Sequence, residues 1–141
     1  MGILIVLSGL GGEPDTAQAD DVPERKVVLI EEKINWTTER IELEIRKTFP
    51  EDADVAVAIA KAESELNPNA LNPEAHRDCN GSIGLMQIAC VHHIKPEKLY
   101  DVRENLQTAR RIYDTLDKDG NKVGWLPWGA YTDGRYKEYL E

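Results

Sequence analysis

Three carboxyl side chains in the middle of the chain could take part in acid–base chemistry. Glu63 and Glu65 lie close to the end of a predicted helix, and Asp78 follows in a loop. On a helical wheel centred on Val55 and Leu66, the two glutamates fall at opposite edges of the apolar stripe. Partial burial there would favour the protonated form of a carboxyl group, which could then donate a proton near neutral pH. The wheel does not choose between the two glutamates, and both could be ordinary solvated residues.

Cysteine and histidine side chains cluster shortly after these carboxylates. The cluster contains His76, Cys79, Cys90, His92 and His93. Such side chains can hold zinc, but their spacing is not that of a usual zinc finger. Cys79 and Cys90 bracket a predicted hairpin, so a disulfide closing this loop is sterically reasonable. We therefore favour a disulfide over free thiols and over a zinc site, and expect no metal.

Helical periodicity indicates the elements that must position these side chains. We predict helices over residues 37–49 and 51–66, and a third from Asp101 to a stop at Asp119-Gly120, because apolar residues recur there at helical spacing. Thr37 or Thr38 and Asp101 are the expected caps, Val55 and Ala62 belong to the apolar stripe of the second helix, and Leu116 continues that of the third. The small, glycine-punctuated stretch 79–90 is typical of an irregular hairpin. An aromatic segment follows over residues 125–140. The pattern predicts an α+β fold that is mostly helical, with a small β insertion in mid-chain.

Composition limits the classes of function. The chain has 141 residues, of which 41% are hydrophobic and 30% charged, as in a single globular domain. With 17 basic and 26 acidic residues the net charge is −9. Because such a chain repels phosphate backbones, we expect no nucleic-acid partner. It is not basic enough to be drawn to an anionic membrane surface, and its N-terminal apolar run is too short to span a bilayer, so we expect no stable membrane insertion.

The first residues differ in composition from the rest. Residues 1–12 carry no charged side chain, residues 3–7 are all apolar, and residues 17–19 read A-Q-A, the cleavage pattern of a secretory signal. No Lys or Arg opens the segment, which departs from that pattern. We predict a signal peptide over residues 1–19, with a short disordered or anchoring tail as the alternative, then a leader over 20–36 and a domain over 37–141. The protein would then be exported to the periplasm, the cell envelope or the medium.

Four short motifs occur in order along the predicted domain. Glu63-Ser64 stands in an E-S-x-x-N-P context, and Gly84 to Gln87 read G-L-M-Q. Asn105-Leu106 follow within a helix, and Ala130-Tyr131 lie near the end. This ordered set resembles the lytic transglycosylase domain of the soluble type (SLT domain), a member of the lysozyme-like superfamily related to goose-type lysozyme. The resemblance covers roughly residues 40–140.

The resemblance implies a lysozyme-like fold with a β-hairpin beside the catalytic helix. It also implies cleavage of the β-1,4 bond between N-acetylmuramic acid and N-acetylglucosamine in peptidoglycan, without a cofactor. Glu63 would act first as acid and then as base, while the sugar's own 6-hydroxyl closes a 1,6-anhydro ring.

Further site residues are carried over by the same resemblance. Gly84 would let the backbone approach the sugar, Met86 would pack against it, and the Tyr131 hydroxyl would orient Glu63. A turn glycine is the alternative for Gly84, and core packing is the alternative for Met86 and Tyr131. The full set of implied substrate-binding residues is Ser64, Ser82, Gly84, Leu85, Met86, Gln87, Asn105 and Tyr131.

The chain departs from the family pattern beside the G-L-M-Q motif. Ala89 stands where goose-type lysozymes carry an Asp, which favours transglycosylation over hydrolysis. Asp78, and more distantly Asp101 and Asp133, remain candidates for a second carboxylate, so a hydrolytic muramidase stays open, as does a non-catalytic glycan-binding module.

The acidic charge of the chain also bears on its partners. It gives no electrostatic steering towards an anionic cell wall. We therefore expect a housekeeping role on peptidoglycan glycan strands, or action guided by a secretion, conjugation or phage-entry apparatus. We also expect the protein to be a monomer.

Overall fold

A computed structural model describes residues 3–6, 9, 11, 28–31, 33–75, 79 and 81–140. The chain divides into two units, Met1–Asn35 and Trp36–Glu141. In the first unit, strand β1 (Ile3–Val6) pairs antiparallel with β2 (Val28–Glu31). The predicted cleavage motif, residues 17–19, lies outside the described residues, so the signal peptide stays a prediction. No helix in the described ranges is long and apolar enough to cross a membrane.

The second unit combines helices with a small three-stranded sheet, which confirms the predicted, mostly helical α+β class. Its main helices are α1 (Thr38–Thr48), α2 (Ala53–Ser64), α3 (Pro96–Leu99), α4 (Val102–Tyr113) and α5 (Gly129–Thr132). Among the described residues, short 3₁₀ helices cover Pro50–Asp52, Cys90–His92 and Arg135–Tyr139. The sheet contains β3 (Leu71–Asn72), β4 (Ser82–Ile83) and β5 (Ile88–Ala89), with β4 in the middle and all pairs antiparallel.

Side-chain caps begin helices α1 and α4 where the sequence predicts them. Thr37 Oγ1 accepts a hydrogen bond from the Arg40 N–H at 3.3 Å, and Asp101 Oδ1 accepts one from the Glu104 N–H at 2.9 Å. Each bond satisfies an amide that the first turn of a helix leaves without a partner. Asp101, one of the candidate carboxylates, therefore serves as a helix cap.

Helix α4 ends at Tyr113, before the predicted stop at Asp119-Gly120. The chain turns back after it, and Leu116 forms an isolated antiparallel bridge with Lys122. The side chain of Asp117 holds this turn by accepting hydrogen bonds from the N–H groups of Asp119 and Asn121, both at 2.9 Å. Leu116 is 60% exposed, so the prediction that it continues the apolar face of the helix is wrong.

Helix α2 is buried on more sides than its periodicity predicts. Its consecutive residues 56–60 are all buried, whereas Val55 and Ala62 from the predicted stripe are only half-buried. The alanines of this helix are small enough to let α1, α5 and the last 3₁₀ helix approach it from different directions. The helix ends at Ser64, and its C-cap residue Glu65 has a left-handed φ of 54°. Glu63 therefore lies in the last turn of this helix.

Aromatic side chains fill the core behind this helix. Trp125 packs on Phe49, Tyr113 and Trp128, with ring centroids 4.7, 4.7 and 5.2 Å apart. Trp125 and Trp128 are 5% and 4% exposed, so both contribute their rings to the core.

Candidate active site

Glu63 is half-buried at the edge of a cleft of about 210 Å³. Its Oε1 accepts a hydrogen bond of 2.9 Å from the backbone N–H of Ala130, at the start of α5. Oε2 accepts no hydrogen bond from any described residue. Glu65, in contrast, is exposed at the helix end and does not line the cleft. The structure thus distinguishes the two glutamates that the helical wheel could not separate.

The rest of the cleft lining is mostly uncharged. Among the described lining residues Glu63 is the only carboxylate and Arg135 the only arginine or lysine. Ala89 lines the cleft, and it stands at the sequence position where the goose-type pattern led us to expect an Asp. The candidate Asp78 lies outside the described residues. The remaining lining residues are Asn72, Ala75, Ser82, Gln87, Ile88, His92, Ile112, Pro127, Trp128 and Gly129.

The G-L-M-Q motif forms the turn between β4 and β5, and Asn105 holds this turn from below. Asn105 is 0% exposed. Its Oδ1 accepts from the Met86 N–H at 2.9 Å, and its Nδ2 donates to the carbonyls of Ile83 at 3.0 Å and Leu99 at 2.8 Å. Asn105 therefore does not line the cleft, and its side-chain amide positions the backbone of the turn.

A side chain at the position of Gly84 would point into the protein interior. A Cβ added there would lie 2.2 Å from the Leu99 carbonyl oxygen and 2.3 Å from Asn105 Nδ2. The φ of 77° at Gly84 is also one that glycine adopts most easily. The close approach that this glycine permits in the structure is to the buried amide of Asn105, and its approach to a sugar stays a prediction.

Leu85 and Met86 are both 0% exposed. Met86 therefore packs in the core, as the alternative for this residue expects, and its contact with the sugar stays a prediction. Their carbonyls are used inside the protein: Leu85 accepts a hydrogen bond of 2.7 Å from the buried Ser64 Oγ, and Met86 accepts one of 2.9 Å from Trp128 Nε1. Ser64 thus joins the end of α2 to the turn, so the helix that carries Glu63 and the motif are fixed to one another.

Gln87 and Ser82 are the members of the predicted binding set that do line the cleft. The Gln87 Nε2 donates to the Gly84 carbonyl at 3.0 Å and to the Ala70 carbonyl at 3.3 Å. These bonds hold the side-chain amide in place, and its Oε1 accepts no hydrogen bond from the described part of the chain. The hydroxyl of Ser82 adds a second polar group to the same wall.

Tyr131 is half-buried beside the cleft and stacks on Tyr136, with ring centroids 5.0 Å apart. Both Tyr131 and Glu63 are described, and no hydrogen bond joins the tyrosine hydroxyl to the carboxylate. The contact with Glu63 comes from the backbone of the preceding residue, Ala130. A backbone donor leaves no signature in side-chain identity, so the sequence could not reveal it.

Arg135 lines the cleft close to Glu63, and sequence analysis missed it. Its Nε donates to Asp133 Oδ2 at 2.7 Å, and its Nη1 lies 3.4 Å from the Ala62 carbonyl. The hydrogen bond to Asp133 and, to a smaller degree, the charge of Glu63 raise the pKa of Arg135 above its usual value. Asp133, the other candidate carboxylate, is thus engaged by Arg135. No periodicity or motif marks an arginine in this segment.

A disulfide joins Cys79 to Cys90, with a Cα–Cα distance of 5.6 Å, which confirms the predicted bridge. The Cys90 N–H donates to the Gly81 carbonyl at 3.0 Å, so the bridged residue also belongs to the hairpin backbone. Cys90 directly follows Ala89 in the cleft wall. Among the described residues no group of His, Cys, Asp and Glu side chains could hold a metal ion, and His76 lies outside them.

Comparison with known proteins agrees with this architecture. No curated protein and no solved structure gives a significant match to the chain. A family model described as a lysozyme-like domain (SLT_3) matches residues 47–129, which include Glu63, the G-L-M-Q turn and Asn105. Tyr131 and Arg135 lie beyond the match. Members of this family usually act on the glycosidic bonds of peptidoglycan. Since the match covers more than half of the sequence, the chain belongs to the lysozyme-like domain family.

Proposed function

We propose that this protein is a peptidoglycan lytic transglycosylase that cleaves the bond between N-acetylmuramic acid and N-acetylglucosamine and leaves 1,6-anhydromuramic acid. The observation that carries the proposal is the position of Glu63, the only carboxylate among the described cleft residues. A hydrolase of the usual kind needs a second carboxylate to activate water or to form a covalent intermediate. A transglycosylase needs one carboxyl group, because the sugar supplies its own nucleophile.

The hydrogen bond from Ala130 suggests how one carboxyl group performs both steps. The bond occupies Oε1 and leaves Oε2 available to a substrate. In the first step Oε2–H gives its proton to the glycosidic oxygen, and the bond from that oxygen to C1 of muramic acid breaks. The Ala130 N–H then donates to the carboxylate that forms, and hydrogen bonds to charged acceptors are the stronger ones.

The second step closes the ring. The muramic acid 6-hydroxyl attacks C1, which carries positive charge, and its proton passes to the Glu63 carboxylate. The enzyme is thereby returned to its protonated state without water. The N-acetyl group of the substrate can stabilise C1 between the two steps, as in glycosidases that use substrate assistance. Ser82 and Gln87 offer polar groups in the cleft that can hold this N-acetyl group.

The disulfide supports a site of action outside the reducing cytosol. Disulfides form and persist in oxidising compartments. We propose that the protein is exported and works as a monomer on glycan strands in the cell envelope.

Mass spectrometry of the products released from purified sacculi tests the proposal. Products that end in 1,6-anhydromuramic acid are expected. Reducing muramic acid ends would identify a muramidase, and binding without any release would identify a glycan-binding module.

A pair of variants tests the assignment of Glu63. Glu63→Gln should abolish release and leave the thermal midpoint nearly unchanged, because a half-buried carboxyl at a helix end contributes little stability. Glu65→Gln is the matched control, two residues away and outside the cleft, and should retain most activity. An inactive Glu65→Gln together with an active Glu63→Gln would show that the assignment is wrong.

A further inference from the structure

Arg135 is a cation without an obvious role in the two steps described above. It lines the same cleft as Glu63, yet its ion pair is with Asp133 and not with Glu63. It stands out in a protein whose net charge is −9 and whose other described cleft residues include no further arginine or lysine. An arginine that served only to hold Asp133 would not need to line a substrate cleft.

The contacts of the guanidinium group leave part of its donor set available. Nε is held by Asp133, and Nη1 has one long contact of 3.4 Å with the Ala62 carbonyl. Nη2 lies over Gly129, 3.8 Å from the position that a Cβ would occupy there. Asp133 therefore fixes the orientation of the group, while the Nη atoms keep N–H donors for an acceptor in the cleft. The side chain remains half-exposed, as a group that receives a ligand must be.

We propose that Arg135 binds a carboxylate carried by the substituent of the muramic acid residue, and so selects substituted glycan strands over neutral ones. This inference rests on the proposed function. The carboxylate has two sources in peptidoglycan: a stem peptide carries free carboxylates, and a strand without its peptide exposes the carboxylate of the lactyl group. Arginine suits either source, because its planar fork matches carboxylate geometry and keeps its charge at any working pH.

Binding to three soluble glycans tests the proposal. Oligosaccharides of the peptidoglycan repeat with stem peptides, the same oligosaccharides after removal of the peptides by an amidase, and a chitooligosaccharide of equal length are titrated into the Glu63→Gln protein, which prevents turnover. The same titrations are done with Arg135→Gln and Arg135→Lys added. Arg46→Gln is the matched control, because Arg46 also pairs with an exposed aspartate, Asp54, but lies on α1 and does not line the cleft.

Arg135→Gln should weaken binding of at least one carboxylate-bearing ligand roughly tenfold or more, as expected for the loss of a hydrogen bond between charged groups. Chitooligosaccharide binding should not change. Arg135→Lys should recover part of the loss, because it keeps the charge but not the fork. Arg46→Gln should bind all three ligands like its parent.

The pattern of loss also identifies the source of the carboxylate. A loss confined to the peptide-bearing ligand assigns the stem, one confined to the stripped ligand assigns the lactyl group, and a loss with both shows that Arg135 accepts either. Equal losses for all three ligands, the neutral one included, would overturn the inference and indicate that Arg135 only shapes the cleft. Unchanged affinities would overturn it as well. If the parent binds none of the three glycans, the proposed function itself fails.

Discussion

Removal of the Asn105 side-chain amide tests the claim that one buried residue holds the G-L-M-Q turn. In Asn105→Ala the Met86 N–H loses its acceptor, and the Ile83 and Leu99 carbonyls lose a donor. All three backbone groups lie around a side chain that is 0% exposed. The substitution therefore leaves buried polar groups without partners, which costs more than the loss of an exposed hydrogen bond.

The size of the effect follows from the number of groups left unpaired. Each buried donor or acceptor that loses its partner costs about 1–3 kcal/mol. Three of them give a loss of about 3 kcal/mol in the free energy of unfolding at the lower limit. For a domain of roughly 100 residues this corresponds to a fall of about 10–20 °C in the thermal midpoint.

Asn105→Asp separates hydrogen bonding from packing, because it keeps the volume and the acceptor but removes the donor. At neutral pH its second oxygen would face two carbonyl oxygens, so we expect a loss at least as large as for Asn105→Ala. Urea unfolding followed by circular dichroism measures both variants, with the exposed Asn121→Ala as a control that should stay within about 0.5 kcal/mol of wild type. A loss below about 1 kcal/mol in both Asn105 variants would refute the reasoning.

Three further predictions concern the glycines, a buried tyrosine and the disulfide. Gly84→Ala should leave little folded protein by circular dichroism, because the added Cβ would meet the Leu99 carbonyl and the Asn105 amide. Gly120 has a similar φ of 82° but open space around it, so Gly120→Ala should lower the free energy of unfolding by only about 1 kcal/mol. Equal losses in the two variants would contradict the packing argument. Burial and the hydrogen bond to Asp52 raise the pKa of Tyr113 to about 12. The stability that this bonded phenol contributes is present below pH 10 and is lost as pH rises to 12, so the deficit of Tyr113→Phe in urea unfolding should shrink over that range, and a constant deficit would count against it. Replacement of both cysteines by serine should cost about 3 kcal/mol in urea unfolding, as the chain-entropy model gives for a loop closed over a separation of 11 residues; an unchanged midpoint would disprove this.

Local signals in the sequence predicted much of the helical frame. The caps at Thr37 and Asp101 depend on residues three positions apart, so they can be recognised without knowledge of the fold. The buried faces of α2 could not be predicted in the same way. An alanine-rich helix is covered by neighbours that come from distant parts of the chain. The spacing of its apolar residues then does not predict which of its faces are buried.

In the candidate site, too, the sequence predicted local features but not those that depend on tertiary contacts. The motifs marked the residues around the cleft, but the roles of several depend on tertiary contacts. Asn105 acts on carbonyls up to 22 residues away, and Gly84 is required by that same amide. Motif positions alone therefore suggested sugar contacts where the structure shows internal packing. The sequence did not predict Arg135 as a cleft residue, because Arg135 lies in the last 3₁₀ helix, whose sequence has no recognisable pattern.

Because the Ala130 N–H donates a hydrogen bond to Glu63, the amide NMR signal of Ala130 can report on the state of the carboxyl group. An amide proton that points at a carboxylate resonates further downfield when the acceptor is charged than when it is protonated. The ¹H–¹⁵N signal of Ala130 should therefore follow the ionisation of Glu63 in a pH titration of the wild-type protein, without any label on the side chain. The same signal should move when a glycan engages the carboxyl group, so one resonance reports both the charge and the occupancy of the cleft.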